Sequence, residues 1–300
     1  MNQQFLTELK AVTAENRIFT DEPMKKHTTF RVGGPADILV QPKGTELAAV
    51  IRLCRKYDVP YQVIGNGSNL LVGDRGIRGL VIEMLSKEDE ICVEDDCITV
   101  GAGMLLSKTA NRAAEHGLTG MEFAAGIPGR IGGAVVMNAG AYGGEMKDIL
   151  TAVTVLDQEG NEKILSAEEL ELGYRTSCIL KKGYIVTGAK IKLKHGEETA
   201  IRARMEELKK QRVEKQPLEY PSAGSTFKRP EGYFAGKLIS DAGLKGFSVG
   251  GAQVSEKHAG FVINTGNATA ADVIALTDAV RDKVFEKYGV KLELEIKQLG

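Results

Sequence analysis

Two glycine-rich segments and a handful of polar side chains hold the residue types that could do chemistry in this sequence. Gly65-Asn66-Gly67-Ser68-Asn69-Leu70 follows the strand-like YQVIG and offers unhindered backbone N–H groups and a hydroxyl, either as a cradle for a pyrophosphate or as a tight turn. Neither it nor Gly101-Ala102-Gly103 carries the third glycine of the dinucleotide fingerprint G-x-G-x-x-G, and no Walker lysine follows a glycine run. Further along, Gly126-Ile127-Pro128-Gly129-Arg130-Ile131-Gly132-Gly133 interleaves glycine with apolar residues. Backbone of that kind can pack on a flat or extended cofactor while excluding water, or make a structural crossover.

Arg175, in Gly-Tyr-Arg-Thr-Ser, presents a permanently charged planar fork suited to a carboxylate, although a lone arginine is far more often a solvated or ion-paired surface group. Ser225 has no histidine pattern beside it and no G-x-S-x-G elbow, so nucleophilic hydrolase chemistry fits poorly. Glu295 lies on the polar face of an alternating segment, and Lys228-Arg229 reads as basic surface charge. Cys54, Cys92, Cys97 and Cys178 show no C-x-x-C spacing and the four histidines form no paired-ligand pattern, which points to neither a metal site nor a disulfide framework.

Several elements must position these residues. Thr45 to Tyr57 places Leu47, Val50, Ile51 and Cys54 at helical spacing and leads into the strand YQVIG. LVIEM is a second strand, and ICVEDDCITVGAG is a hairpin turning at Asp95-Asp96. A helix follows from Met104 to His116, closed by Gly117, and strands resume at AVTVLD, EKIL and GYIVTGAKIKL. From Thr199 to Gln216 a charged helix ends at Pro217 and marks a domain boundary. Beyond it lie a helix in GKLISDAGLKG, a helix opening at Thr269 with Asp272 as a capping box, and VKLELEIKQL as a strand with Val290, Leu292, Leu294 and Ile296 on one face.

The 300 residues suffice for two or three domains, and 39 basic against 40 acidic side chains leave a net charge of −1. Such a chain has no overall field to hold nucleic acid or an anionic membrane, so an anionic ligand must be held locally. The amino terminus lacks a signal-peptide pattern and no apolar run approaches a membrane span, which reads as a cytoplasmic protein.

The ordered set VIGNGSNLLV, GIPGRIGGAVVMNAGAYG, GYRTS, AGSTFKRP, VSEKHAGFVINTGNATAADV and LELEIK resembles the UDP-N-acetylenolpyruvoylglucosamine reductases, the MurB family, along the whole chain. The short stretch between the glycine-rich segment and GYRTS, with no inserted tyrosine-bearing loop, resembles the shorter, second type of that family. The resemblance implies an α+β fold with a vanillyl-alcohol-oxidase-type FAD-binding region at 1–198, in two subdomains of about 1–85 and 86–198 to which the strand 290–300 returns. An α/β substrate-binding domain would occupy 199–289.

It further implies non-covalent FAD held by Gly65, Asn66, Gly67, Ser68, Asn69, Leu70, Gly126, Ile127, Pro128, Gly129, Ile131, Gly132, Gly133, Asn138 and Gly140. NADPH would reduce the flavin and leave, and UDP-N-acetylglucosamine enolpyruvate would then be reduced to UDP-N-acetylmuramate in peptidoglycan synthesis. Arg175 would face the substrate carboxylate, Glu295 would hydrogen-bond the developing charge, and Ser225 would supply a proton. Tyr174, Gly224 and Lys228 would touch the substrate. The protein would be a monomer with no nucleic-acid or membrane partner. Two rivals are a flavin oxidase of the same fold and a non-catalytic binder of flavin or nucleotide sugar.

Overall fold

The computed structural model describes residues 3–86 and 91–300. The chain folds into two compact units that exchange segments. One comprises Met1–Phe19, Ile38–Gly65 and Gly79–Arg212, and the other Thr20–Asp37, Asn66–Arg78 and Val213–Gly300.

The first unit has two apolar cores. In one, the helix Gly44–Lys56 buries Leu47, Val50, Ile51 and Cys54, its one apolar stripe, against Phe5 and Leu9 of the helix Gln3–Val12. The strand Tyr61–Ile64 runs parallel to Ile77–Glu83, with Tyr61 opposite Leu80 and Ile64 opposite Glu83, and Leu80 and Ile82 enter the same core.

The other core lies on a five-stranded antiparallel sheet in the order Glu162–Ser166, Leu150–Leu156, Ile185–Lys192, Cys97–Gly101, Ile91–Glu94. Asp95 adopts φ 52 at the tip of the hairpin expected at Asp95-Asp96. Leu106, Ala110 and Ala113 of the helix Leu106–Glu115 and Ile131, Ala134 and Val135 of the helix Ile131–Val136 complete this core.

The second unit is a four-stranded sheet in the order Ser222–Ser225, Phe261–Asn264, Ala252–Val254, Ser248–Val249. The helix Ala270–Tyr288 buries Val273, Leu276, Val280 and Val284 in its core, and Thr269 and Asp272 form the expected capping box. Residues 20–37 and 66–78 cluster here through specific bonds. The Asn264 amide donates to the Phe30 carbonyl at 3.2 Å, and the Asp74 carboxylate accepts from the Ala270 and Ala271 N–H groups at 2.8 and 3.0 Å, occupying donors that a helix start leaves over.

The single strand expected over VKLELEIKQL is a correction. Leu292 and Ile296 are buried while Lys291 and Glu293 are exposed, as the alternation requires, but regular strand is confined to Lys297–Leu299. The cause is a change of partner along the segment. Leu294 bridges Phe227, and Lys297–Leu299 then runs parallel to Leu70–Val72, so no one ladder is long.

Candidate functional site

In the first unit, Tyr174 and Arg175 occupy the tip of a turn closed at both ends. The Gly173 N–H donates to the Thr176 carbonyl at 3.1 Å and the Thr176 N–H returns to the Gly173 carbonyl at 3.3 Å. Arg175 adopts φ 54, a left-handed conformation that a side chain tolerates only where its surroundings enforce it. Those surroundings are two buried polar side chains. Ser177 Oγ donates to the Val136 carbonyl at 2.8 Å, and Asn138 Nδ2 donates to the Gly173 carbonyl at 3.1 Å and to Glu145 Oε2 at 2.7 Å. Asn138 Oδ1 also accepts the Lys147 N–H at 2.9 Å. Its whole amide therefore serves the protein, tying the turn that bears Arg175 to the glycine-rich segment. The guanidinium lies 5.1 Å from the centroid of the half-exposed Tyr174 ring.

The glycine-rich segment is stitched to the loop after Cys97–Gly101. Leu106 N–H donates to Gly129, Ile131 N–H to Met104 and Gly132 N–H to Ala102. A Cβ on Gly132 would lie 3.1 Å from that of Ala102, so packing there favours glycine. Gly133 is different, because a Cβ there would meet nothing within 4 Å. Among the described residues nothing within 4 Å explains its lack of a side chain, and a flat cofactor lying against it would. Arg130, just before the helix, has a buried Nε without a hydrogen-bond partner. An unshielded glycine and an orphaned cationic donor within four residues fit an anionic, planar-ended cofactor such as FAD.

Sequence reasoning passed over Arg130, whose signal was its place inside the glycine run, and Arg212, which had none. Arg212 lies in a helix that reads as charged and solvated, yet its side chain packs against Gly126, where a Cβ would come within 3.2 Å of it, and burial pulls its pKa down.

In the second unit, the loop at Asn66–Leu70 serves the fold as well as any ligand. A Cβ on Gly67, at φ +59, would lie 2.1 Å from the His27 carbonyl oxygen. Asn69 Nδ2 donates to the Glu295 carbonyl at 3.1 Å and the Asn69 carbonyl accepts the Lys297 N–H at 2.8 Å. The expected cofactor contact Asn69 thus holds the segment that carries Glu295.

Ser225 ends the strand Ser222–Ser225 at a bulge. Ser222 pairs with Ile263 and Ser225 with Phe261, so the strand has one residue more than its partner, and Gly224 at φ +75 absorbs it. Ser225 is exposed, but its neighbour Thr226 is fully buried and fixed on three sides. The Thr226 N–H donates to the Gly260 carbonyl at 2.9 Å, Thr226 Oγ1 accepts the Val262 N–H at 2.9 Å, and the Thr226 carbonyl accepts the Glu295 N–H at 2.9 Å. The Thr226 carbonyl therefore ties the segment that carries Glu295 to the end of the strand that carries Ser225. Two residues on, the Lys228 N–H donates to the Glu293 carbonyl at 2.8 Å, and the exposed Lys228 and Glu293 side chains pair at 2.9 Å. That lysine holds the Glu293 carboxyl below its ordinary range.

Among the described residues no cluster of three or more His, Cys, Asp or Glu could hold a metal ion. Burial pushes the Cys54 thiol up to about 12, so it is not a nucleophile at neutral pH. No helix among the described residues is long and apolar enough to cross a membrane.

Two family descriptions match the chain: an FAD binding domain over residues 36–166, and the carboxyl-terminal domain of UDP-N-acetylenolpyruvoylglucosamine reductase over 216–299. The chain is 54% identical to the UDP-N-acetylenolpyruvoylglucosamine reductase of Agathobacter rectalis, over all of this chain and 99% of that protein. It is 55% identical to that of Lachnoclostridium phytofermentans, over all of this chain and 98% of that protein. The crystal structure of the enzyme from Thermus caldophilus superposes with a TM-score of 0.79 at 41% identity, over 93% of this chain and 97% of that one. A likeness to alkyldihydroxyacetonephosphate synthase, at 14% identity and TM-score 0.51 over 98% of this chain and 61% of that one, extends to the fold alone. The fold is the α+β flavoprotein type expected, and the chain belongs to the UDP-N-acetylenolpyruvoylglucosamine reductase family, the FAD-dependent MurB enzymes.

Proposed function

We propose that Arg175, Ser225 and Glu295 carry the chemistry of this enzyme, which reduces UDP-N-acetylglucosamine enolpyruvate to UDP-N-acetylmuramate with NADPH and FAD in peptidoglycan synthesis. FAD, when bound, supplies a hydride acceptor for NADPH and a hydride donor for the enolpyruvyl methylene carbon. Gly65–Leu70 and Gly126–Gly140 would hold it, Gly133 by leaving a surface against which a ring can lie.

Reduction at the methylene leaves negative charge on the adjacent carbon, delocalised into the substrate carboxylate. Arg175 faces that carboxylate, its guanidinium aimed by the closed turn. Glu295, in its protonated form, donates a hydrogen bond to the developing charge, where a preorganised donor acts most strongly. Ser225 delivers a proton to the carbanionic carbon, a role open to a hydroxyl of high pKa because the acceptor is more basic still. Tyr174 contacts the sugar and Lys228 the diphosphate, and Gly224 also touches the substrate. The enzyme works as a monomer in the cytoplasm, with no nucleic-acid or membrane partner.

The observation that best supports this reading is the buried Thr226, next to Ser225 in the chain, whose carbonyl accepts the Glu295 N–H. The test is anaerobic. The purified protein is bleached with NADPH, then given the enolpyruvyl substrate while the flavin absorbance is followed. Recovery of absorbance with formation of the lactyl ether is expected. Bleaching that only oxygen reverses would overturn the reading in favour of an oxidase.

A further inference from the structure

We propose that Arg130 is the cation that neutralises the diphosphate of FAD, an inference that rests on assigning Gly65–Leu70 and Gly126–Gly140 to the cofactor. Those two segments contain one formally charged residue between them, Arg130. The diphosphate is the charged part of FAD, and a chain of net charge −1 offers no general positive field, so its charge must be met locally.

The geometry suits that task. Within the first unit, the Arg130 stem runs along Gly65, where an added Cβ would lie 3.4, 3.6 and 3.7 Å from its Cβ, Cδ and Cγ. Nη1 donates to the Gly103 carbonyl at 2.6 Å, which fixes the plane of the guanidinium. The cation thus lies between Gly65 and Gly103. A guanidinium carries five N–H donors in a rigid fork matched to phosphate oxygens. Here the Nε donor is buried and unmet. Burial lowers the pKa of Arg130, and the nearby Glu83 carboxylate opposes this, while that carboxylate accepts from Gln41 Nε2 at 2.7 Å. The protein therefore keeps a desolvated cation with a donor to spare, a costly arrangement that an incoming anion relieves.

The experiment uses apo-protein freed of flavin, with FAD and, separately, riboflavin titrated by quenching of flavin fluorescence at two salt concentrations. R130M is expected to bind FAD at least about tenfold more weakly, one lost charge-assisted hydrogen bond by the usual scale. R130K should fall between R130M and the parent, because it restores charge without the fork. Riboflavin, which has no phosphate, should bind all three alike, and FAD affinity should depend less on salt in R130M. Unchanged FAD affinity in R130M, or equal losses for FAD and riboflavin, would overturn the proposal. Gly133→Leu separates this from the assignment beneath it. If G133L abolishes FAD binding while R130M does not weaken it, only the role of Arg130 fails. If neither variant affects FAD, both the proposal and the assignment of Gly126–Gly140 are wrong.

Discussion

The turn that carries Arg175 and the bonded segments that carry Ser225 and Glu295 solve the same problem in different ways. Arg175 sits at a left-handed position that is held from beneath by the side chains of Asn138 and Ser177, both fully buried and both bonded to backbone. Ser225 and Glu295 are placed chiefly by main-chain bonds, with Thr226 as the one buried side chain in the join. A long cation needs its backbone aimed, because four rotatable bonds would otherwise spread the charge over a wide volume. A hydroxyl one bond from the chain needs only the right register. The first arrangement couples chemistry to stability, and the second keeps them apart.

That contrast breaks most sharply at Ser225. Ser225→Ala should leave flavin reduction by NADPH near normal and slow reoxidation by the enolpyruvyl substrate by roughly 10²- to 10⁴-fold. Because Ser225 is exposed and lies beside the main-chain ladder, the melting temperature should not move. Stopped-flow measurement of the two half-reactions checks this, and equal losses in both would remove Ser225 from the proton-transfer step. Asn138→Ala is the converse. It removes the buried amide that bonds Gly173, Glu145 and Lys147 and should cost about 2–4 kcal/mol of stability, from three lost hydrogen bonds at about 1 kcal/mol each. Substrate turnover should fall with it, since Arg175 loses its aim. Denaturant unfolding beside steady-state rates would expose an error if stability fell and turnover did not.

How much of this could be read beforehand follows from the range of the interactions. The helix Gly44–Lys56, the hairpin at Asp95 and the Thr269–Asp272 capping box were legible because each is decided by residues within a few positions of one another. The alternation of VKLELEIKQL was legible too, but its division between Phe227 and Leu70–Val72 was not, because pairing partners are set by chain 67 and 227 residues away. Among the site residues, the motifs drew attention to Asn69 and Asn138, yet no local pattern says that both amides are spent on Glu295 and Gly173. Arg212 was hidden for a related reason. A basic residue in IRARMEELKKQRVEKQ looks solvated until the distant Gly126 is found against it.

A smaller effect should appear with pH in the second unit. His258 Nδ1 accepts the Gly260 N–H at 3.1 Å, and the Gly260 carbonyl in turn receives the Thr226 N–H. Burial lowers the pKa of His258, chiefly by desolvation, so the folded protein holds the ring neutral at a pH where the unfolded chain has already taken up a proton. The stability it contributes is present above the ordinary imidazole range, about 6.5, and is lost as pH falls below it. His258→Gln should flatten the unfolding free energy between about pH 7 and 5.5, measured in urea. A parallel slope in the variant and the parent would mean that another group sets the acid limb.

The smallest expected change tests an exposed pair beyond Thr226 and Glu295. Lys228 and Glu293 pair at 2.9 Å in solvent, where a salt bridge contributes little to folding, so Lys228→Met should leave the melting temperature in place. Its consequence should lie in binding. If Lys228 meets the substrate diphosphate, Glu293 competes for the same ammonium, and the two substitutions must act in opposite directions: K228M raises the KM for the enolpyruvyl sugar nucleotide, whereas Glu293→Gln lowers it by releasing the lysine. Added salt should weaken substrate binding in the parent more than in K228M, since screening acts on exposed charges. Because both variants leave Thr226 and its bonds untouched, turnover at saturating substrate should hold steady. A KM raised by both substitutions would mean that the intact pair shapes the site, and a KM moved by neither would take the diphosphate away from Lys228.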